Sequence, residues 1–170
     1  MKILFVIASD RFLDMGYVVP KKLLEEKGVE CITASTVHGT CYGIHGEIVQ
    51  SDITIDEVNP ANYDGVILIG GIGCQDELWR NEKLTDLVNK IGVAGKLTAA
   101  ICLAVPILGE AGLLRGKKAT CLDTPASLRL LSLDKAIIVP DKIVIDGNVV
   151  TAKSPTAAEE FGRAIVSVLL

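Results

Sequence analysis

Three short apolar runs that stop abruptly constrain this chain more than any other feature. Lys2–Ala8 (KILFVIA) ends at Ser9-Asp10, Gly65–Gly71 (GVILIGG) ends in paired glycines, and Lys96–Ile101 (KLTAAI) ends at Cys102. Each is a near-continuous stretch of small and branched aliphatic residues, apolar on both faces and shorter than an ordinary helix. Such runs suit strands buried on both sides, as in parallel sheets covered by helices. The chain is 49% hydrophobic but only 4% aromatic, so its core must be aliphatic.

Amphipathic segments alternate with these runs. Tyr17–Lys27 carries apolar residues at Val18, Val19, Leu23 and Leu24, with charges opposite and Gly28 as a stop. Val29–Ser35 then reads as a second strand, which gives a right-handed β-α-β unit. Val37–Ile55 holds three glycines and two short alternating runs, Glu47–Gln50 and Ile53–Ile55, and reads as an antiparallel excursion at the sheet edge. Asn59–Asn62 is a turn. Asp76–Ile91 reads as one helix with acids in its first turn and Gly92 or Gly95 at its end. A helix from Cys102 to about Ala111 stops at Gly112, and Lys117–Cys121 reads as a fifth strand. Thr124-Pro125 caps a short helix over Ser127–Leu131. Ala136–Val139, Lys142–Ile145 and Val149–Ala152 read as short strands, the last two joined by a hairpin at Asp146-Gly147-Asn148. Thr156–Leu170 is a closing helix. The predicted fold is a single α/β domain over residues 1–170, with a mostly parallel sheet.

Charge narrows the function. The net charge is −4, and lysines pair only at Lys21-Lys22 and Lys117-Lys118, read as solvated faces. No basic stripe marks a nucleic-acid partner. No apolar run reaches membrane-spanning length, and the N-terminus reads as a strand and not as a signal peptide. The expectation is a soluble, cytoplasmic protein with no membrane partner. The five cysteines form no CxxC pair, which argues against a disulfide framework or a zinc knuckle.

In a parallel sheet, sites form beyond the carboxyl ends of the strands. Ser9–Asp14, Gly70–Gln75 and Cys102 all fall there. A cysteine between strand end and helix start sits in an exposed, strained turn. The amide of Leu103 and that of Gly71 or Ile72 could stabilise an oxyanion. A helix N-terminus contributes up to about 2 kcal/mol, enough to draw a thiol of pKa about 8.5 toward neutrality. A buried structural cysteine is the plain alternative, and spacing alone leaves both readings open.

Several segments, in order, extend the pattern. They are Asp14-Met15-Gly16 before Val19-Pro20, the ILIGG strand end, AAIC with its helix, EAGLLRGKKAT, and the tail DGNVVTAKSPTAAEEFGRAIV. Together they resemble the ThiJ/PfpI family across nearly the whole chain. The resemblance implies a flavodoxin-like three-layer α/β sandwich, a homo-oligomer (dimer or larger), and a reactive elbow cysteine. It also implies intracellular peptidase, glyoxalase or deglycase activity on peptides or small carbonyl compounds, without a cofactor or metal. Other members act in redox stress or as chaperones, so an oxidisable, non-catalytic Cys102 is the alternative. Against the family pattern, Leu103 stands where the peptidase-like branch has histidine, and Gly16 stands at the position of its glutamate. Thr120-Cys121-Leu122-Asp123 lacks the histidine of other branches, and Val105-Pro106 shifts the usual proline by one place. Asp76 lies close to where some members supply a glutamate from a neighbouring subunit, with a loop one residue longer here.

Weaker signals are read in context. Asp10, Asp14 and Asp76 are the nearest acids. Asp76 reads chiefly as an acid favoured by a helix N-terminus. Cys74 could resolve an oxidised Cys102 or be a small loop residue. Gly70-Gly71-Ile72-Gly73 resembles a dinucleotide loop, but Asp76 would repel a pyrophosphate, so no cofactor is expected. His38, Cys41 and His45 have a passable metal spacing, yet the intervening glycines favour a hairpin. Cys31 and Cys121 read as core.

Overall fold

The computed structural model describes residues 1–170. In chain order the elements are β1 (Lys2–Val6), β2 (Asp10–Phe12), α1 (Asp14–Glu25), β3 (Glu30–Ser35), β4 (Thr40–Gly43), β5 (Ile48–Gln50), β6 (Ile53–Thr54), β7 (Gly65–Leu68), α2 (Ile72–Glu77), α3 (Glu82–Val93), β8 (Leu97–Ile101), α4 (Val105–Glu110), β9 (Lys118–Ala119), α5 (Pro125–Leu133), β10 (Ile137–Ile138), β11 (Ile143–Asp146), β12 (Val149–Ala152) and α6 (Ala158–Leu169). Seven strands form the central sheet in the order β11-β12-β8-β7-β1-β3-β6. All neighbours run parallel except the β11–β12 hairpin, which turns at Gly147 with φ 65°.

The three apolar runs are the middle of this sheet. β1, β7 and β8 lie side by side, Val6 opposite Leu68 and Leu68 opposite Ala100. Alternate residues along each strand serve opposite faces. Leu4, Val6, Val66, Leu68 and Ala100 join α3 and α4 in one core layer. Ile3, Phe5, Ile67, Ile69 and Ile101 join α1 and α6 in the other. Burial on both faces is why the runs show no alternation of polar and apolar residues.

Four expectations change. The helix read over Asp76–Ile91 is two helices. α2 begins earlier, at Ile72, and a break at Leu78–Asn81 precedes α3, whose N-cap is the Asn81 side chain accepting the Leu84 amide at 3.1 Å. Arg80 at φ 59° makes that break. Ser9–Asp14, given no strand in the sequence reading, contains β2, which pairs parallel with β4. The antiparallel β4–β5 pair therefore hangs from β2 as a separate three-stranded sheet, while β6 leaves the excursion to become the parallel edge beside β3. Finally, the Lys117–Cys121 strand shrinks to β9, paired only with β10.

Candidate functional site

The carboxyl ends of β1, β7 and β8 meet at Cys102. β8 runs into a tight turn over Cys102–Ala104, closed by the Val105 amide donating to the Cys102 carbonyl, and α4 follows with Pro106 in its first turn. Cys102 sits at φ 61°, a left-handed backbone that costs a non-glycine residue about 1–2 kcal/mol. Such outliers persist where the surroundings over-determine them. Here the β7 end supplies the constraint. A β-carbon at Gly70 would lie 2.6 Å from the Ile101 carbonyl oxygen and 3.0 Å from Cys102 Cβ. At Gly71 it would lie 2.4 Å from the Arg11 carbonyl oxygen, and its φ is 107°. The paired glycines let two loops close on the cysteine.

The main-chain N–H groups of Leu103 and Gly71 act on the Cys102 thiol, each favouring its charged form. Of the amides considered from sequence, these two favour the charged sulfur, and Ile72 opens α2. The electrostatic expectation is corrected. Cys102 is only 4% exposed, so the turn is strained but not open. Burial raises the thiol pKa above its ordinary value, and the two amides only partly offset it. No charged side chain is among the causes of the shift.

The residues around the elbow are apolar or already engaged. Leu103 is buried, and a β-carbon at Gly16 would press on Leu13 and Ile101. Cys74 is fully buried in α2, its thiol 3.7 Å from the Leu103 carbonyl oxygen. Burial first, then the neighbouring Cys102, lifts its pKa well above the ordinary thiol range. Cys121, read as core, is buried as expected and pushed up to about 11 by burial, with Asp123 and Cys102 adding to the shift. Cys31 is only half-buried.

The acids serve the scaffold. Asp76 lies in the second half of α2, not at a helix start, and pairs with Arg11 at 2.7 Å. Asp10 also faces Arg11, at 3.3 Å. Asp14 is buried and accepts the amides of His45 and Glu47, each at 2.9 Å, which fastens the β4–β5 turn to α1. Glu77, expected with Asp76 in the first turn of a helix, instead ends α2 and accepts the Ser9 amide at 2.6 Å and the Ser9 hydroxyl, locking the β1 end to α2. His38 and His45 are exposed. The Cys41 thiol is buried beside the Gly39 carbonyl at 3.8 Å, and the three form no metal-holding group. No helix is long and apolar enough to cross a membrane.

Trp79 is the residue that sequence reasoning missed. Its indole N–H donates to the Leu103 carbonyl oxygen at 2.6 Å, bracing the elbow from outside. The signal was available, since it is the chain's one tryptophan.

With this geometry in view, comparison with known proteins is consistent along the full length. The DJ-1/PfpI family profile matches residues 1–168. An uncharacterized protein of Methanocaldococcus jannaschii is 38% identical over 168 residues, covering 99% of this chain and 82% of its own. A Pyrococcus horikoshii protein named a deglycase is 35% identical over 169 residues, covering 99% of both. Among solved structures, a ThiJ/PfpI domain protein from Brachyspira murdochii superposes with a TM-score of 0.93 at 33% identity, over 99% of this chain and 95% of that one.

Proposed function

Because the chain belongs to the DJ-1/PfpI family, we propose that Cys102 is its reactive thiol and that it acts on small carbonyl compounds, in the manner of a glyoxalase or deglycase. The observation that carries this reading is a cysteine held at φ 61° between the end of β8 and α4, with the Gly70-Gly71 loop packed against it. The sulfur adds to the carbonyl carbon of an α-oxoaldehyde. The C=O electron pair moves to oxygen, the Leu103 and Gly71 amides stabilise that oxygen, and the thiol proton neutralises it through water. The result is a hemithioacetal. Burial of Cys102 favours a small aldehyde over a peptide, which needs an open groove around the nucleophile. Relatives named deglycases support the same choice.

The environment also bears on rate. With the thiol pKa raised and Leu103 and Gly16 offering no proton acceptor, the thiolate is scarce at neutral pH. General acid–base assistance is worth about 10²–10⁴-fold elsewhere, so turnover here is slow. The test combines two measurements. Methylglyoxal should leave an adduct on Cys102, seen by peptide mass spectrometry, with slow conversion to a 2-hydroxy acid that Cys102→Ser abolishes. Cys102 alkylation by iodoacetamide should rise steeply with pH through and beyond the ordinary thiol pKa, with no plateau near neutrality. Turnover unchanged in Cys102→Ser would reject the proposal.

A second reading has one observation in its favour. Cys74 and Cys102 flank the same Leu103 peptide, with the Cys74 thiol against its carbonyl. If Cys102 is an oxidisable sensor, mild peroxide yields a sulfenic acid at Cys102 or a Cys74–Cys102 disulfide, with no methylglyoxal turnover in the wild type.

A further inference from the structure

Behind the elbow, on the other side of Trp79, lies a cleft of about 670 Å³ between the α2–α3 break and α5. Its charged lining is Asp76, Arg80 and Arg129, and its apolar lining includes Trp79, Leu130 and Leu133. The charges are not balanced. Asp76 is held by Arg11 from outside the cleft. None of the ion pairs in the molecule engages Arg80 or Arg129. The acid beside Arg80 is Glu110, whose carboxylate accepts the Arg80 main-chain N–H at 3.1 Å. Burial pushes the Glu110 pKa up and the Arg80 charge partly lowers it, but the two side chains form no ion pair. That hydrogen bond also fixes the left-handed turn from which Arg80 projects.

Two unpaired guanidinium groups beside an indole and two leucines form a defined chemical environment. Guanidinium N–H groups match the two-oxygen edge of carboxylates and phosphates, and bind them by paired charge-assisted hydrogen bonds. Small-molecule sites combine apolar walls with a few convergent polar groups. We propose that this cleft binds a small organic anion, a carboxylate or phosphate monoester on a short apolar body. Arg80 and Arg129 hold the oxyanion, while Trp79, Leu130 and Leu133 cover the body. The site does not depend on Cys102 chemistry, although it adjoins the elbow through the Trp79–Leu103 hydrogen bond.

Trp79 is the only tryptophan, so its fluorescence reports on this wall and on the elbow it touches, and the Arg80 and Arg129 variants assign the signal to the cleft. The whole protein is titrated with butyl phosphate, hexanoate and inorganic phosphate at constant ionic strength, with calorimetry alongside to detect binding that leaves the fluorescence unchanged. Saturable binding of at least one organic anion is expected, weakened about tenfold or more in Arg80→Gln and in Arg129→Gln, as for loss of a hydrogen bond to a charged group. Both arginines are exposed, and circular dichroism with a thermal melt checks that each variant is folded. Whether butyl phosphate or hexanoate binds tighter identifies the oxyanion. No saturable binding of either organic anion overturns the proposal. So does affinity untouched in both variants, or inorganic phosphate binding as tightly as butyl phosphate.

Discussion

At Asp14 a single buried carboxylate holds a whole substructure in place. Burial raises its pKa, but the His45 and Glu47 amides more than offset this, and the carboxyl ends up more acidic than usual. A carboxyl group depressed in the folded state stabilises the protein above its unfolded pKa of about 3.9, and that stability is lost as pH falls through the folded value. Replacing Asp14 with alanine strands two amides and should cost about 2–4 kcal/mol at pH 7, from hydrogen bonds to a charged acceptor. Urea denaturation should show the gap between wild type and Asp14→Ala closing below about pH 4. A gap independent of pH would show that the charge is not what holds the turn. Cys102 is the counter-case. Its amides also favour the charged form, yet burial outweighs them, because two N–H groups replace less hydration than a thiolate loses.

At the scale of elements, the decisive contacts are backbone against backbone. α2 packs so closely on β2 that a β-carbon at Gly73 would lie 1.7 Å from the Asp10 carbonyl oxygen. Gly73→Ala must therefore push β2 and α2 apart, with a loss of more than about 3 kcal/mol, the upper range of overpacking. The matching control is Gly95→Ala, which has open space around it but a φ of 77°. Strain alone there should cost about 1–2 kcal/mol. Equal losses at the two sites, read by chemical denaturation, would refute close packing as the cause. This same junction escaped the sequence reading. Asp76–Ile91 has the periodicity of one helix, and the local sign that Leu78–Asn81 breaks it is the N-cap residue Asn81 alone. The break follows from where α2 must dock to present Gly71 to Cys102, a constraint set by residues distant in sequence.

At the scale of the molecule, two aliphatic layers sandwich one sheet, and the few aromatic residues anchor one of them. Phe161 of α6 is fully buried in the same core layer as Phe5, Phe12 and Tyr17, with the Phe5 and Tyr17 rings 5.7 Å apart edge to face. Truncating it leaves a cavity that the flat face of a sheet cannot collapse to fill. Phe161→Ala should cost about 3–5 kcal/mol and lower the Tm by about 10 °C for a chain of this size, as read by calorimetry. A Tm within a degree or two of the wild type would mean that α6 contributes little to the core.

The local pattern of residues determined the parallel sheet, the order of its strands and helices, and the elbow at Cys102. Burial on both faces writes itself into sequence as unbroken aliphatic runs, and a strand end followed by a helix start needs only neighbouring residues to be seen. Gly28, Gly112 and Gly147 were legible as stops for the same reason, and all three have positive φ. Only the tertiary structure decided that the elbow is closed, that burial raises the Cys102 thiol pKa, and that Asp76 turns away to Arg11. It alone brought Trp79 against Leu103 and placed Arg80 and Arg129 on one cleft. Solvation and pairing depend on what packs above a residue, and that partner comes from another part of the chain.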